Sequence, residues 1–149
     1  MTTPLPPSEL PEETLEGEEE ASIACVLVFN ASDPSGSSGI SADVLAIASV
    51  GAHALPVLTG AYARDSAQIF DFFPLTEEAV GDQARAVLED IPPQVIKVGF
   101  AGSAENISII AELTADYDGV PVVAYMPNLS WWEDDQIDQY LDAFRELLL

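Results

Sequence analysis

The chain has 149 residues, of which 26 are acidic and 4 are basic, so its formal net charge is −22. This excess of negative charge argues against binding to nucleic acid or to an anionic membrane surface, because both depend on Lys and Arg side chains. With 48% hydrophobic residues the sequence can bury the core of one domain, and its single cysteine excludes a disulfide framework and multi-cysteine zinc sites.

Residues 1–22 differ in composition from the rest of the chain, since they contain four Pro and seven Glu. Such a segment buries too little apolar surface to offset the entropy of ordering it, which predicts a disordered acidic tail. It lacks the basic start and apolar centre of a signal peptide, and no later apolar run is long enough to span a bilayer. We therefore expect a cytoplasmic protein whose folded part is residues 23–149.

Five short apolar runs follow the tail, and helical periodicity separates most of them. Continuous apolar runs are typical of strands buried on both faces of a sheet. The runs lie at residues 23–29, 54–58, 68–73, 95–99 and 120–125. Alternation of strands and helices predicts an α/β fold, a three-layer sandwich with a mostly parallel sheet and helices on both faces.

Local signals give the expected helix ends. Gly51 is placed to end the first helix, Thr76 and Ser103 are expected N-caps of the second and third, and Ser130 with Glu133 has the spacing of a capping box for the fourth. The fourth helix runs to the last residue without a glycine cap or a polar tail. We therefore expect a fold that is incomplete at the C-terminus.

The loop after the first strand has the most unusual sequence. It reads NASDPSGSSGISAD over residues 30–43 and leads directly into a helix. Ligands of open α/β sheets bind at the carboxyl ends of the strands, and a serine- and glycine-rich turn can aim N–H groups and hydroxyls at a polar ligand. The loop has no P-loop lysine, no GxGxxG pattern and no GxSxG elbow. A turn followed by a helix N-cap is the alternative interpretation.

Four segments in chain order carry a resemblance. They read SDPSGSSGISAD, PVLTGAYARDS, KVGFAGS and PVVAYMP. They are similar to SDPSGGAGIQAD, VITALTAQNT, KIGMLGS and PVVLDPVM of the bifunctional hydroxymethylpyrimidine/phosphomethylpyrimidine kinases of thiamine biosynthesis. Residues 23–127 thus resemble the N-terminal half of this family, which implies a ribokinase-like fold and ATP-dependent phosphorylation of hydroxymethylpyrimidine and its phosphate.

The resemblance also implies which residues bind the substrate. Asp43 corresponds to the family's acid at the hydroxymethyl end of the pyrimidine, and Phe100 replaces a methionine that packs on the ring. The alternative interpretations are a helix first-turn acid for Asp43, an Asx-turn partner for Asp33 and a surface ion-pair partner for Arg64. The full set of implied substrate-binding residues is Ala31, Asp33, Ser38, Asp43, Arg64 and Phe100.

Two positions depart from the family pattern. Arg64 replaces a glutamine that pairs with the pyrimidine edge, and a guanidinium only donates hydrogen bonds where an amide both donates and accepts. Tyr125 replaces an acid near the phosphate and metal end. Lys97 matches a family lysine or pairs with a nearby acid, and the pair Trp131 and Trp132 either covers a ligand or anchors the last helix.

Three hypotheses for function follow. In the first, the chain is the substrate-binding half of a kinase, with a small-molecule pyrimidine as substrate. The resemblance implies ATP and Mg²⁺, but it places the catalytic residues and the main nucleotide contacts in a C-terminal half, so we assign no catalytic or metal-binding residue here and expect this chain alone to be inactive. In the second, it is a non-catalytic small-molecule-binding or regulatory relative of the kinase. In the third, it is an unrelated receiver-like module. This hypothesis is disfavoured, because the acid pair and the lysine that such a module requires are absent from the corresponding positions. Whether the protein forms a homodimer stays open.

Overall fold

A computed structural model describes residues 22–149. The tail predicted at residues 1–22 lies outside the described residues apart from its last position. Among the described helices none has the length and apolar character needed to cross a membrane.

Five strands form one mixed sheet in the order β3-β2-β1-β4-β5. All neighbouring strands are parallel except β2 and β3, which form an antiparallel hairpin. The prediction of a mostly parallel sheet is therefore confirmed. The strands are β1 (Cys25–Ser32), β2 (His53–Arg64), β3 (Ile69–Pro74), β4 (Val95–Val98) and β5 (Val122–Ala124).

Four helices alternate with the strands, with bounds α1 (Gly39–Ser49), α2 (Glu77–Leu88), α3 (Ala104–Ala115) and α4 (Asp134–Leu148). The expected caps of α2 and α3 are confirmed, because Thr76 Oγ1 accepts from the Ala79 N–H at 3.2 Å and Ser103 Oγ from the Asn106 N–H at 3.1 Å. The capping box predicted at Ser130 is wrong, since α4 begins at Asp134 with Glu133 as its N-cap.

The helices cover both faces of the sheet. On one face, apolar side chains of α2, α3 and α4 pack with alternate residues of β1 in the main core, which includes Leu27 and Phe29. Helix α1 contributes no residue to that core and packs on β1 and β2 from the other face. Side chains alternate between the two faces along a strand, so Val28 and Asn30 point towards α1. The three-layer arrangement predicted from the sequence is confirmed.

The two outermost strands are more exposed than the sequence predicts. Continuous apolar runs predict burial on both faces, but Phe70 and Phe73 of β3 and Val122 and Val123 of β5 are exposed. Both strands lie at an edge of the sheet, where fewer neighbours cover a side chain. Strand β2 also runs farther than predicted, because its second half is paired with β3 from Gly60 to Arg64.

Candidate functional site

A cavity of about 530 Å³ opens at the carboxyl ends of the parallel strands. Three segments build it: the loop after β1, the hairpin between β2 and β3, and the loop after β5. This is the place where open α/β sheets bind ligands, and the volume suits a ligand of one or two rings. The lining residues are Ser38, Tyr62, Arg64, Ala67, Gln68, Ile69, Tyr125, Pro127, Asn128, Ser130 and Trp131.

Asp33 organises the loop after β1. Its Oδ1 accepts from the Ser35 N–H at 2.8 Å and from the Ser35 hydroxyl at 2.6 Å. Its Oδ2 accepts from the Ser38 N–H at 3.0 Å and from the Ser38 hydroxyl at 2.9 Å. The Arg64 Nη1 atom lies 3.5 Å from the same Oδ2. One buried carboxylate therefore fixes both the loop and the arginine that lines the cavity.

These contacts favour the charged form of Asp33. Burial by itself would raise the pKa of this carboxyl, but hydrogen bonds from Ser35 and Ser38 and the positive charge of Arg64 lower the pKa from 3.8 to about 2. Asp33 is therefore ionised at neutral pH, and its charge faces the Arg64 guanidinium.

Asp43 lies deeper, on the α1 side of the sheet, and its carboxylate is occupied by protein groups. Its Oδ2 accepts from the Asn30 Nδ2 at 2.7 Å, and its Oδ1 pairs with the Lys97 ammonium. The Asn30 Oδ1 accepts from the Ala31 N–H at 2.8 Å and from the Phe100 N–H at 3.1 Å. Asn30 thereby joins the carboxyl ends of β1 and β4 to α1.

Phe100 lies behind an aromatic wall. Its ring is stacked with Tyr62 at 5.7 Å between centroids and meets Trp131 edge to face at 5.8 Å. Tyr62 and Trp131 line the cavity, whereas Phe100 is only 2% exposed. Phe100 is therefore not among the residues that line the cavity. Trp131 also borders a second cavity of about 590 Å³ between β3 and the starts of α3 and α4. Its Nε1 donates to the Asn128 carbonyl oxygen at 3.0 Å, so the same side chain ties down the loop and forms a wall.

The six predicted site residues thus fall into two groups. Ser38 and Arg64 each contact Asp33 at the first cavity, and Ala31, Asp43 and Phe100 meet around Asn30 below it. The roles of all six as ligand contacts stay predictions. Two alternatives raised from the sequence describe real contacts, since Asp33 does form an Asx turn and Lys97 a pair with an acid. Arg64 does form an ion pair, but the pair is largely buried and not at the surface. The alternative for Asp43 is wrong, because no acidic residue lies in the first turn of α1.

Sequence reasoning missed Asn30, Tyr62, Gln68 and Asn128. Asn30 stands inside an apolar strand run, and a lone amide there is a signal of a buried hydrogen-bonding role. Gln68 and Asn128 occupy loops at the carboxyl ends of strands, which is a positional signal for a site. Tyr62 carries no local signal, because only the extension of β2 by β3 brings its ring to the cavity.

Comparison with known proteins places this arrangement in a family. The family model described as phosphomethylpyrimidine kinase matches residues 33–146. The chain belongs to the phosphomethylpyrimidine kinase family. The ribokinase-like fold inferred from the four segments is confirmed by solved members, including a phosphomethylpyrimidine kinase from Clostridium difficile with a TM-score of 0.70 and 28% identity.

Relatives in and near the phosphomethylpyrimidine kinase family are longer than this chain. The hydroxymethylpyrimidine/phosphomethylpyrimidine kinase of Streptomyces coelicolor is 36% identical over 123 residues, which cover 83% of this chain and 41% of the relative. The match to the Clostridium difficile structure covers 77% of this chain and 53% of that one. A Staphylococcus aureus pyridoxal kinase in complex with ADP has 25% identity and a TM-score of 0.60, with 70% and 38% of the two chains covered. The chain therefore spans about half the length of such kinases, or less.

The described residues do not by themselves fit a nucleotide with its metal ion, which membership of a kinase family implies. Within residues 22–149 no group of three or more His, Cys, Asp or Glu side chains is placed to hold a metal. All four basic side chains of the chain are paired with carboxylates, namely Arg64 with Asp33, Arg85 with Asp82, Lys97 with Asp43 and Arg145 with Asp142. No cluster of free cations in this part of the chain offers a site for a triphosphate.

Proposed function

We propose that the chain forms the substrate-binding part of a kinase that uses ATP to phosphorylate hydroxymethylpyrimidine and its monophosphate in thiamine biosynthesis. The observation that carries the proposal is the cavity at the carboxyl ends of the strands, which is built by segments of the matched family. The Streptomyces coelicolor relative bears this activity in its name. The structure of the Staphylococcus aureus pyridoxal kinase with ADP supports a nucleotide as the phosphoryl donor.

In this proposal the cavity holds and orients the ring. Tyr62 and Trp131 offer aromatic faces on which a planar ring stacks. Ser38, Gln68 and Asn128 offer hydroxyl and amide groups to the ring edge. The phosphoryl-transfer machinery belongs to the part of the kinase fold that these residues do not cover, because transfer needs positioned cations around the phosphates.

The test uses the protein isolated from its own cells, incubated with ATP, Mg²⁺ and hydroxymethylpyrimidine. Mass spectrometry of the small molecules follows the gain of a phosphoryl group. The proposal expects ATP-dependent formation of the monophosphate and then the diphosphate. Absence of any phosphorylated pyrimidine, together with absence of pyrimidine binding, would overturn it.

A second candidate function is a small-molecule-binding relative without turnover. The specific observation in its favour is that every Lys and Arg side chain of the chain is paired with a carboxylate, while the cavity proposed to hold the ring is present. This candidate predicts saturable pyrimidine binding with no phosphorylated product in the same experiment. Detection of product would eliminate it.

A further inference from the structure

Arg64 is the one charged side chain among the residues that line the first cavity. The other polar side chains there carry hydroxyls or amides, which both donate and accept hydrogen bonds and so adapt to either kind of ligand edge. A guanidinium only donates. Arg64 is therefore the charged side chain of the cavity that can only donate to a ligand edge. The polar side chains with hydroxyls or amides are Ser38, Tyr62, Gln68, Tyr125, Asn128 and Ser130.

Contacts on its far side hold Arg64 in place. Its Nη1 faces the buried Asp33 carboxylate at 3.5 Å, and its Nε donates to the Asp65 carbonyl oxygen at 3.0 Å. The side chain is only 16% exposed. These contacts use Nε and Nη1, which leaves the two N–H donors of Nη2 for a ligand. A guanidinium positioned in this way is a preorganised donor that loses little conformational entropy when a ligand binds.

The cavity walls complete the description of the ligand. Tyr62 and Trp131 meet at 5.8 Å between ring centroids and present aromatic surface, and Ile69 and Pro127 add apolar surface. A planar ring buries its faces against such walls and turns its edge towards polar groups. An edge that carries a donor would oppose its N–H to the N–H groups of Arg64 and leave both unpaired.

We propose that this cavity takes a planar aromatic ligand whose recognised edge carries only hydrogen-bond acceptors, as a carboxylate or an ether oxygen beside a ring nitrogen does, and that Arg64 is the specificity-determining residue. The inference rests on the proposed function in one respect, because it takes this cavity as the ring-binding site. A hydroxymethylpyrimidine with a methoxy group in place of the amino group is then a better ligand than the amino-substituted one.

The experiment compares the binding of two probes to the full chain. They are the hydroxymethyl aminopyrimidine and its methoxy analogue, in which a methoxy group replaces the ring amino group and the neighbouring ring nitrogen stays an acceptor. Fluorescence quenching reports binding, since both tryptophans of the chain, Trp131 and Trp132, lie beside the cavity or border the adjacent one. We expect the methoxy analogue to bind about tenfold more tightly, because the amino compound leaves one buried donor unpaired.

Two variants and a control isolate the role of the guanidinium. Arg64→Gln supplies an amide that both donates and accepts, so the preference falls to about onefold or reverses. Arg64→Lys keeps a donor-only cation, so the preference persists with weaker binding. Arg85→Gln removes one positive charge at a half-exposed position outside the cavity, and we expect the preference of the unaltered chain.

The outcomes separate the two proposals. Tighter binding of the aminopyrimidine, or a preference that survives Arg64→Gln, overturns the role of Arg64 while the cavity stays the ring-binding site. Quenching by neither probe overturns this inference and counts against the proposed function as well. Reversal of the preference by Arg64→Gln and not by Arg85→Gln supports both.

Discussion

Asn30 connects three parts of the molecule through one side chain. Its amide group accepts from the N–H groups of Ala31 and Phe100 and donates to Asp43. Removal of this buried amide is costly, because each partner left unpaired stays buried without a hydrogen bond and keeps its desolvation penalty. The junction of β1, β4 and α1 thus depends on a residue that lines neither of the two cavities described above.

Replacement of Asn30 tests this role. We expect Asn30→Ala to lower the free energy of unfolding by about 3 kcal/mol, since two backbone N–H groups and the Asp43 carboxylate each lose a partner. Urea denaturation followed by circular dichroism measures the loss. Asn128→Ala is the control, because the Asn128 amide makes one exposed contact, to the Ser130 N–H. Equal losses for the two variants would contradict the account.

Asp33 predicts a specific dependence of stability on pH. Its pKa is lowered from 3.8 to about 2 in the folded chain. The carboxylate therefore stabilises the fold fully above pH 3.8, and this contribution is lost as the pH falls from 3.8 towards 2. We expect the difference in free energy of unfolding between the unaltered chain and Asp33→Asn to shrink by about 1 kcal/mol across that range, after allowance for solvent screening. An advantage that is constant with pH would show that Asp33 carries no such shift.

At the scale of elements, the entry into α1 depends on close packing of the backbone. Gly39 has a φ of +79°, and a Cβ added there would lie 2.6 Å from the Ala31 carbonyl oxygen. Gly36 in the same loop has a φ of +73°, but a Cβ added there would meet nothing within 4 Å. The two glycines have similar positive φ angles and differ in the space around them.

This pair gives a matched test. Gly36→Ala should cost about 1 kcal/mol of unfolding free energy, because an L-residue is strained at positive φ. Gly39→Ala should cost about 3 kcal/mol or more, since the backbone must also move away from Ala31. Chemical denaturation of both variants measures the difference. Similar costs would mean that the loop adjusts freely and does not fix the position of α1.

The elements were predictable from sequence where their signals are local. The caps at Thr76 and Ser103 lie next to the helices that they start, and the structure confirms both. Ser130 has the same type of signal, but its N–H donates to Asn128 Oδ1 in a turn and the helix begins later. There the neighbouring turn took precedence over the capping pattern.

The site was less predictable because its contacts join distant parts of the chain. Asp33 contacts Arg64 only because β1 and β2 are neighbours in the sheet. Asp43 on α1 contacts Lys97 on β4 only once α1 packs on the sheet. The sequence pointed to the carboxyl edge of the sheet and to the loop after β1, and the first cavity lies there. It could not show that aromatic side chains surround Phe100 or that the Asn30 amide donates to Asp43.

At the scale of the whole molecule, the sheet has two edge strands with exposed apolar side chains. On β3 these are Phe70 and Phe73, and on β5 they are Val122 and Val123. In the described part of the chain no strand pairs with the outer edge of β5. Exposed apolar edge strands promote association between chains, and the net charge of −22 opposes it.

We expect the edge to dominate at high protein concentration, so that the chain associates reversibly. Sedimentation velocity over a concentration series measures the effect. Val123→Lys places a charge on the exposed edge. It should raise the protein concentration at which the chain associates by about tenfold. Val50→Lys adds the same charge at the end of α1, away from that edge, and should change little. Equal effects of the two variants would assign the shift to net charge alone.

In the proposed function, the cavity between the loop after β1, the β2–β3 hairpin and the loop after β5 binds the pyrimidine ring. Nuclear magnetic resonance of the 15.9 kDa chain, titrated with hydroxymethylpyrimidine and with its methoxy analogue, tests this role. We expect saturable shifts at Ser38, Tyr62, Arg64 and Trp131, with small shifts at Asp43. Shifts confined to the second cavity, at Phe70 and Glu105, or no saturable shift with either compound, would contradict it.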